Sequence, residues 1–151
     1  MALYNKVVTP SQVLCNDLVS IDDEWTVAST GNLAIVHNQT SKVALVKLNA
    51  PVGARLIKVI SHLGISAEGS SNKTTIAVSI RKVVNKADGV TDTEVKAVTA
   101  VEYEANAKAD IVADCDEVVA ENVSYYARIT ATTANNAGCK AALIGATAVY
   151  Q

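Results

Sequence analysis

Thr74-Thr75-Ile76-Ala77-Val78-Ser79-Ile80-Arg81-Lys82-Val83 is the stretch whose pattern decides the fold. Ile76, Val78 and Ile80 alternate with Thr75, Ser79 and Arg81. A period of two marks a strand with one face buried and the other in water. Val, Ile and Thr also suit a pleated surface, because their branched side chains pack well there. Just beyond, Asp88-Gly89 carries a strong turn signal. Alternation then resumes over Thr93–Tyr103, with Val95, Ala97, Thr99 and Val101 set against Lys96, Val98 and Glu102.

The same period extends in both directions. Upstream, Leu33–His37 and Lys42–Asn49 read as strands separated by the turn-rich Asn38-Gln39-Thr40-Ser41, and Pro51-Val52-Gly53 breaks the second. Arg55–Ile65 follows, with Ile57, Val59, Leu63 and Ile65 on one face, then the polar loop Glu68–Lys73. Downstream, Ala109–Ala113 reads as a short strand ended by an acidic turn at Asp114–Glu117. Val123–Thr132 sets Tyr125, Ala127 and Ile129 against Tyr126, Arg128 and Thr130. After the turn Asn135-Asn136-Ala137-Gly138, Cys139–Tyr150 sets Ala141, Leu143 and Val149 opposite Ala142, Ile144 and Tyr150. About eight strands at this spacing predict an all-β antiparallel sandwich, with jelly-roll or immunoglobulin-like connections. No long helical pattern follows residue 30, which argues against βαβ units. No fixed-period repeat is present, which argues against a propeller or solenoid.

Residues 1–30 differ, and the chain divides into an N-terminal extended arm at 1–30 and a β-sandwich domain at 31–151. Thr9 can cap a helix, Pro10 suits its first position and Gln12 completes a capping box. These signals predict a short helix over 10–18 with Leu14 and Leu18 on one face. The acidic run Asp22-Asp23-Glu24 precedes Trp25, which is expected to anchor the arm to the sandwich. Leu3, Tyr4, Val7, Val8, Leu14, Leu18, Val19 and Ile21 make the arm too apolar for a solvated tail. It is expected to pack on its own domain or on a neighbour.

Composition narrows the function. The chain has 151 residues, 13 basic and 15 acidic side chains and a net charge of -2. Phosphate binding needs a concentrated basic face, so nucleic acid is not an expected partner, and Arg81, Lys82 and Lys86 read as a solvated edge. With no Phe, one Trp and one Met, the core is thin. Apolar burial contributes roughly 25 cal/mol per Å², so assembly would add burial, unless the many Ala and Val side chains pack closely within one subunit. Cys15, Cys115 and Cys139 are odd in number and lack C-x-x-C spacing, and read as reduced structural thiols. Met1–Gln12 lacks the apolar run of a signal peptide, and no stretch reaches the ~20 apolar residues of a membrane span. Synthesis in the cytosol is the expectation, which leaves the three glycosylation sequons at Asn38, Asn72 and Asn122 without meaning.

Chemistry-bearing motifs are sparse. His37 and His62 have no second ligand nearby in sequence. No G-x-S-x-G elbow is present. Cys115 lies between Asp114 and Asp116, whose charges disfavour a thiolate. Lys73-Thr74 ends a stretch with Ala67 and Asn72 where a phosphate loop needs glycine. The acidic segments Asp88–Glu94 and Asp110–Glu117 do not match an EF-hand, and a glycosidase needs two carboxylates facing each other across a cleft. The expectation is a structural or interaction protein, not an enzyme, with no catalytic residues, cofactor or metal.

Pro51-Val52-Gly53-Ala54-Arg55-Leu56 entering a strand, then Ile76–Arg81, Ser124-Tyr125-Tyr126-Ala127-Arg128-Ile129 and Leu143-Ile144-Gly145-Ala146-Thr147-Ala148-Val149-Tyr150 resemble β-sandwich domains of tailed-phage virion proteins over roughly residues 45–151. Those domains include capsid decoration (cement) proteins and parts of tail fibres. The absence of a repetitive stalk tilts the resemblance toward decoration. It implies a virion protein made in the host cytoplasm, bound to the major capsid protein on the capsid surface, as a homo-oligomer and by expectation a trimer. Partner contacts would then come from Leu3, Tyr4, Val7, Val8, Leu14, Leu18 and Trp25. The competing reading is a receptor- or carbohydrate-binding β-sandwich of a tail fibre or similar adhesin, for which exposed aromatics on one flat face would speak.

Overall fold

A computed structural model describes residues 9–151. Among them are the strands β1 (Ser11–Cys15), β2 (Leu18–Ser20), β3 (Thr26–Val27), β4 (Leu33–Ile35), β5 (Gln39–Leu48), β6 (Arg55–Ser66), β7 (Thr74–Lys86), β8 (Gly89–Tyr103), β9 (Ala107–Val118), β10 (Val123–Thr133) and β11 (Lys140–Tyr150). They form two antiparallel sheets. The first runs β3-β4-β11-β6-β9, with β1 also on β11, and the second runs β2-β5-β10-β7-β8.

Strand order decides the connection. The four-strand set β4-β11-β6-β9 faces β5-β10-β7-β8, and from β4 onward every link crosses between sheets except the β7–β8 hairpin. That interleaving is a jelly roll, not an immunoglobulin-like arrangement. The core between the sheets is filled by Leu56, Leu63, Ile76, Ile80, Ile129 and Leu143, interspersed with buried Ala44, Ala113, Ala127, Ala131, Ala146 and Ala148. Alanine loses no rotamer freedom on burial, so close packing of small side chains fills this interior within one subunit.

The expected helix over 10–18 is not found. β1 runs antiparallel along β11, Ser11 opposite Tyr150 and Cys15 opposite Ala146, and β2 joins the second sheet beside β5. A short isolated helix is marginal in water, and an open strand edge offers a full hydrogen-bond ladder instead. Leu14 and Leu18 consequently do not share a face. Leu14 points outward on the first sheet, 60% exposed, while Leu18 packs against the core from the second. The described part of the segment read as an arm thus supplies strands to both sheets. Trp25 is 2% exposed, and its indole Nε1–H donates to the Lys42 carbonyl at 3.0 Å. Asp22 accepts the Val43 amide with its carboxylate, and Glu24 pairs with Lys42 at 2.8 Å.

Three further readings are corrected. β9 continues through Asp114–Glu117, so the acidic turn is strand, with Asp114 and Asp116 outward. On β6 a bulge between Leu56 and Lys58 places Leu56 inward in place of Ile57. In the β7–β8 ladder, bulges at Ile76/Val78 and Ile80/Arg81 break the alternation of β8. Val95 and Val98 therefore both pack on the core instead of on opposite faces.

Candidate binding site on the outer face of the second sheet

Register builds the site. Alternation on β10 sends Tyr125 into the core and Tyr126, Arg128 and Thr130 outward. Across the sheet one outward row runs Val19, Leu45, Arg128, Ser79 and Ala97. The adjacent row runs Lys47, Tyr126, Arg81 and Glu94. Across these rows and the ones flanking them lies a depression of about 420 Å³ with an apolar lining of Val19, Ile21, Val43, Leu45, Val83 and Tyr126, and with Arg81, Arg128 and Asp92 at its polar positions. Val19 and Ile21 reach it because β2 forms the sheet edge there.

The two arginines differ in their surroundings. Arg81 Nε donates to Asp92 Oδ1 at 3.0 Å and Nη1 to Glu94 Oε2 at 3.3 Å. Its pKa is raised, first by the Asp92 hydrogen bond. Arg128 is half-buried, and its guanidinium has no hydrogen-bond or ion-pair partner among the described residues. Lys82, next to Arg81 in sequence, leaves this face altogether. Its Nζ reaches Glu117 of β9 at 2.7 Å, which ties the two sheets together. The basic run expected to form one solvated edge is thus split between two faces.

The outer face of the first sheet carries other chemistry. His62 Nδ1 lies 2.7 Å from Asp110 Oδ1, and Nε2 lies 2.7 Å from Thr147 Oγ1. The hydrogen bond with His62 holds the Asp110 carboxyl below its ordinary pKa. An acid, an imidazole and a hydroxyl in line are the first elements of nucleophilic catalysis. A nucleophile also needs hydrogen-bond donors beside it, from backbone amides or side chains, to hold an oxyanion. Thr147 sits mid-strand between Leu14 of β1 and Ile60 of β6, where the amides serve the ladder. The trio can lock three strands together on one face. His37 lies past β4, and its carbonyl accepts from Gln39. Among the described residues no group of three or more His, Cys, Asp or Glu side chains converges to hold a metal. The Cys115 thiol is pushed up to about 11, first by burial and then by Glu117, Asp114 and Asp116. A shallow trough of about 570 Å³ on this face is floored by Ala34, Gly64 and Ala142, with Lys108 and Lys140 beside it.

Of the residues singled out for partner contact, Leu3, Tyr4, Val7 and Val8 lie outside the described residues. Leu14, Leu18 and Trp25 are not brought together: one is outward on the first sheet, one is against the core and one is inside it. The groove residues Val19, Ile21, Leu45, Arg81, Tyr126 and Arg128 did not emerge as a site from the sequence. The one available signal was the alternation that puts Tyr126 and Arg128 on a common face.

No protein-family model matches the sequence, and no curated protein matches it. Several solved structures are similar to this chain at low identity. A chain in the structure of infectious bursal disease virus, Gx strain, is 10% identical with a TM-score of 0.53, and the match covers 99% of this chain and 36% of that one. The CBM36-1 domain of a multidomain xylanase from the hindgut metagenome of Trinervitermes trinervoides is 10% identical with a TM-score of 0.47, covering 93% and 96%. A family two carbohydrate esterase from Cellvibrio japonicus is 9% identical with a TM-score of 0.45, covering 95% of this chain. This chain spans 34% of the esterase's length. The viral likeness shows a shared fold.

Proposed function

We propose that this protein is a non-catalytic recognition module that takes a saccharide or receptor segment into the groove on the outer face of its second sheet. The observation that carries this reading is the concave patch of Val19, Ile21, Leu45, Val83 and Tyr126, with polar groups at its margin. Binding sites of this kind are mostly apolar with a few placed polar groups. Tyr126 offers a ring face for stacking and a hydroxyl for hydrogen bonding. The test is a glycan array probed with the wild type and Tyr126→Ala. Selective binding that falls at least about tenfold in the variant, as expected for an aromatic anchor, supports the reading. An empty array, or an indifferent variant, opposes it.

A second reading is favoured by a separate observation. On the first sheet the outward row Leu14, Thr147, Ile60 and Val112 leaves Leu14 and Val112 exposed. Exposed aliphatic surface near an edge suits docking on an assembled shell. Binding only the assembled form would stabilise that form by mass action. On this reading the protein is a virion decoration protein that contacts the major capsid protein as a homo-oligomer, by proposal a trimer, at the capsid surface. Co-sedimentation with phage capsids that Leu14→Asp abolishes would favour it. Retention of the variant on capsids would oppose it.

A further inference from the structure

We infer that the ligand of the second-sheet groove is an acidic saccharide whose carboxylate is held by Arg128. This rests on the recognition reading above and adds the chemical class of the ligand. Arg81 has its charge answered by Asp92 and Glu94. Arg128 has five N–H donors and a permanent charge, and none of these donors is engaged within the described residues. It is half-buried between Leu45 and Ser79 in the outward row. A cation partly withdrawn from water costs free energy unless it is paired, and a carboxylate restores the pairing through two parallel hydrogen bonds.

Charge placement fixes the ligand's orientation. The outward row through Tyr126 ends at Glu94, and Asp92 closes the same side of the groove. An acid placed there is repelled, so it is directed to Arg128. Among the lining residues Arg81 and Arg128 stand against Asp92, which leaves one positive charge in the groove, on a chain of net charge -2. Tyr126 and Arg128 are two residues apart on one strand face, about 7 Å at the backbone; a carboxylate borne directly on a pyranose ring reaches less far than that, and the long, flexible Arg128 side chain covers the remainder. A uronic acid can therefore lay its ring against Tyr126 while its carboxylate reaches Arg128. A neutral sugar leaves the guanidinium unanswered.

The experiment is calorimetric titration of the full chain with tetramers of galacturonate, mannuronate and hyaluronan, each beside its methyl-esterified form. Arg128→Gln and Tyr126→Ala are titrated in parallel, after circular dichroism shows that both variants keep the wild-type spectrum. At least one acidic tetramer is expected to bind, with the ester at least about tenfold weaker, the scale of losing a hydrogen bond to a charged group. Arg128→Gln is expected to erase the difference between acid and ester. The inference is overturned if no acidic tetramer binds, if acid and ester bind equally, or if Arg128→Gln binds the acid as the wild type does. Ester binding that needs Tyr126 but not Arg128 would retain the recognition reading and discard the acidic ligand. An acidic peptide binding where every saccharide fails would discard the acidic saccharide and leave the groove as a site for a receptor segment.

Discussion

Replacing Gly145 by Ala should unseat β1 from the first sheet. Gly145 sits at the β11 bulge with φ +154, and a Cβ built there falls 2.5 Å from the Cys15 carbonyl oxygen. Real Cβ contacts essentially never fall under 3.0 Å, so backbone on one side must yield by at least 0.5 Å. The obstacle is main chain, which cannot rotate away as a side-chain tip could. Two costs add. Holding a non-glycine residue in this region of backbone space costs roughly 1–3 kcal/mol, and forcing extra atoms into a packed position costs roughly another 1–3 kcal/mol. The sum, about 2–6 kcal/mol, is a large part of the 5–15 kcal/mol typical of a domain. Gly31→Ala is the control, because Gly31 has φ +84 with nothing within 4 Å of its added Cβ. It should cost only about 1–2 kcal/mol. Urea unfolding followed by the fluorescence of Trp25, the one tryptophan, measures both. Cys15, fully buried in the native protein, should also become labelled faster in Gly145→Ala as β1 lifts. A Gly145→Ala variant within about 1 kcal/mol of Gly31→Ala, with Cys15 still protected, would refute the argument.

Other expectations follow from the titrating groups. The Cys115 thiol, lifted to about 11, should alkylate along a pH profile displaced well above that of a free thiol; a midpoint near 9 in native protein would contradict its burial. Because the folded value exceeds the ordinary thiol value of 9.0, its contribution to stability is full below pH 9 and is lost as pH rises toward about 11. Cys115→Ala should flatten that alkaline loss in urea melts taken across the range. Asp110 moves the opposite way: its folded pKa lies below 3.8, so its contribution is present above pH 3.8 and is lost as pH falls through the depressed value. The stability gap between wild type and His62→Gln should accordingly close in acid, and a gap that persists unchanged at the lowest pH would count against the hydrogen bond as its source.

Alternation carried most of the architecture into the sequence. β7 reads from Ile76, Val78 and Ile80, and β10 from Tyr125, Ala127 and Ile129, because each of these strands keeps its period of two past neighbours on both sides. The misreadings fall where a bulge resets the period, at Ile57 on β6 and Val98 on β8. A bulge arises from pairing between distant segments and leaves no local mark. Ser11–Cys15 was misread for a related reason: its capping signals are local, but β11, more than a hundred residues away, supplies the edge it joins. The groove shows the same limit. Tyr126 and Arg128 were legible as outward neighbours, but Val19, Leu45 and Asp92 come from three other strands. Only the register across the sheet sets them beside Arg128 and shows which arginine its acids neutralise.

β11 lies at the centre of the first sheet, between β6 on one edge and β1 with β4 on the other, and it is also the last strand in chain order. During synthesis the second sheet can close once β10 has emerged to join β5 to β7, but β6 and β4 have no common neighbour until Lys140–Tyr150 leaves the ribosome. The nascent chain must therefore carry the first sheet incomplete until β11 has been made. Loop closure over such separations is slow, and exposed apolar strands invite aggregation. Shielding by a chaperone would matter most during this interval, and a premature stop before residue 140 would remove the piece that joins both ends of the first sheet.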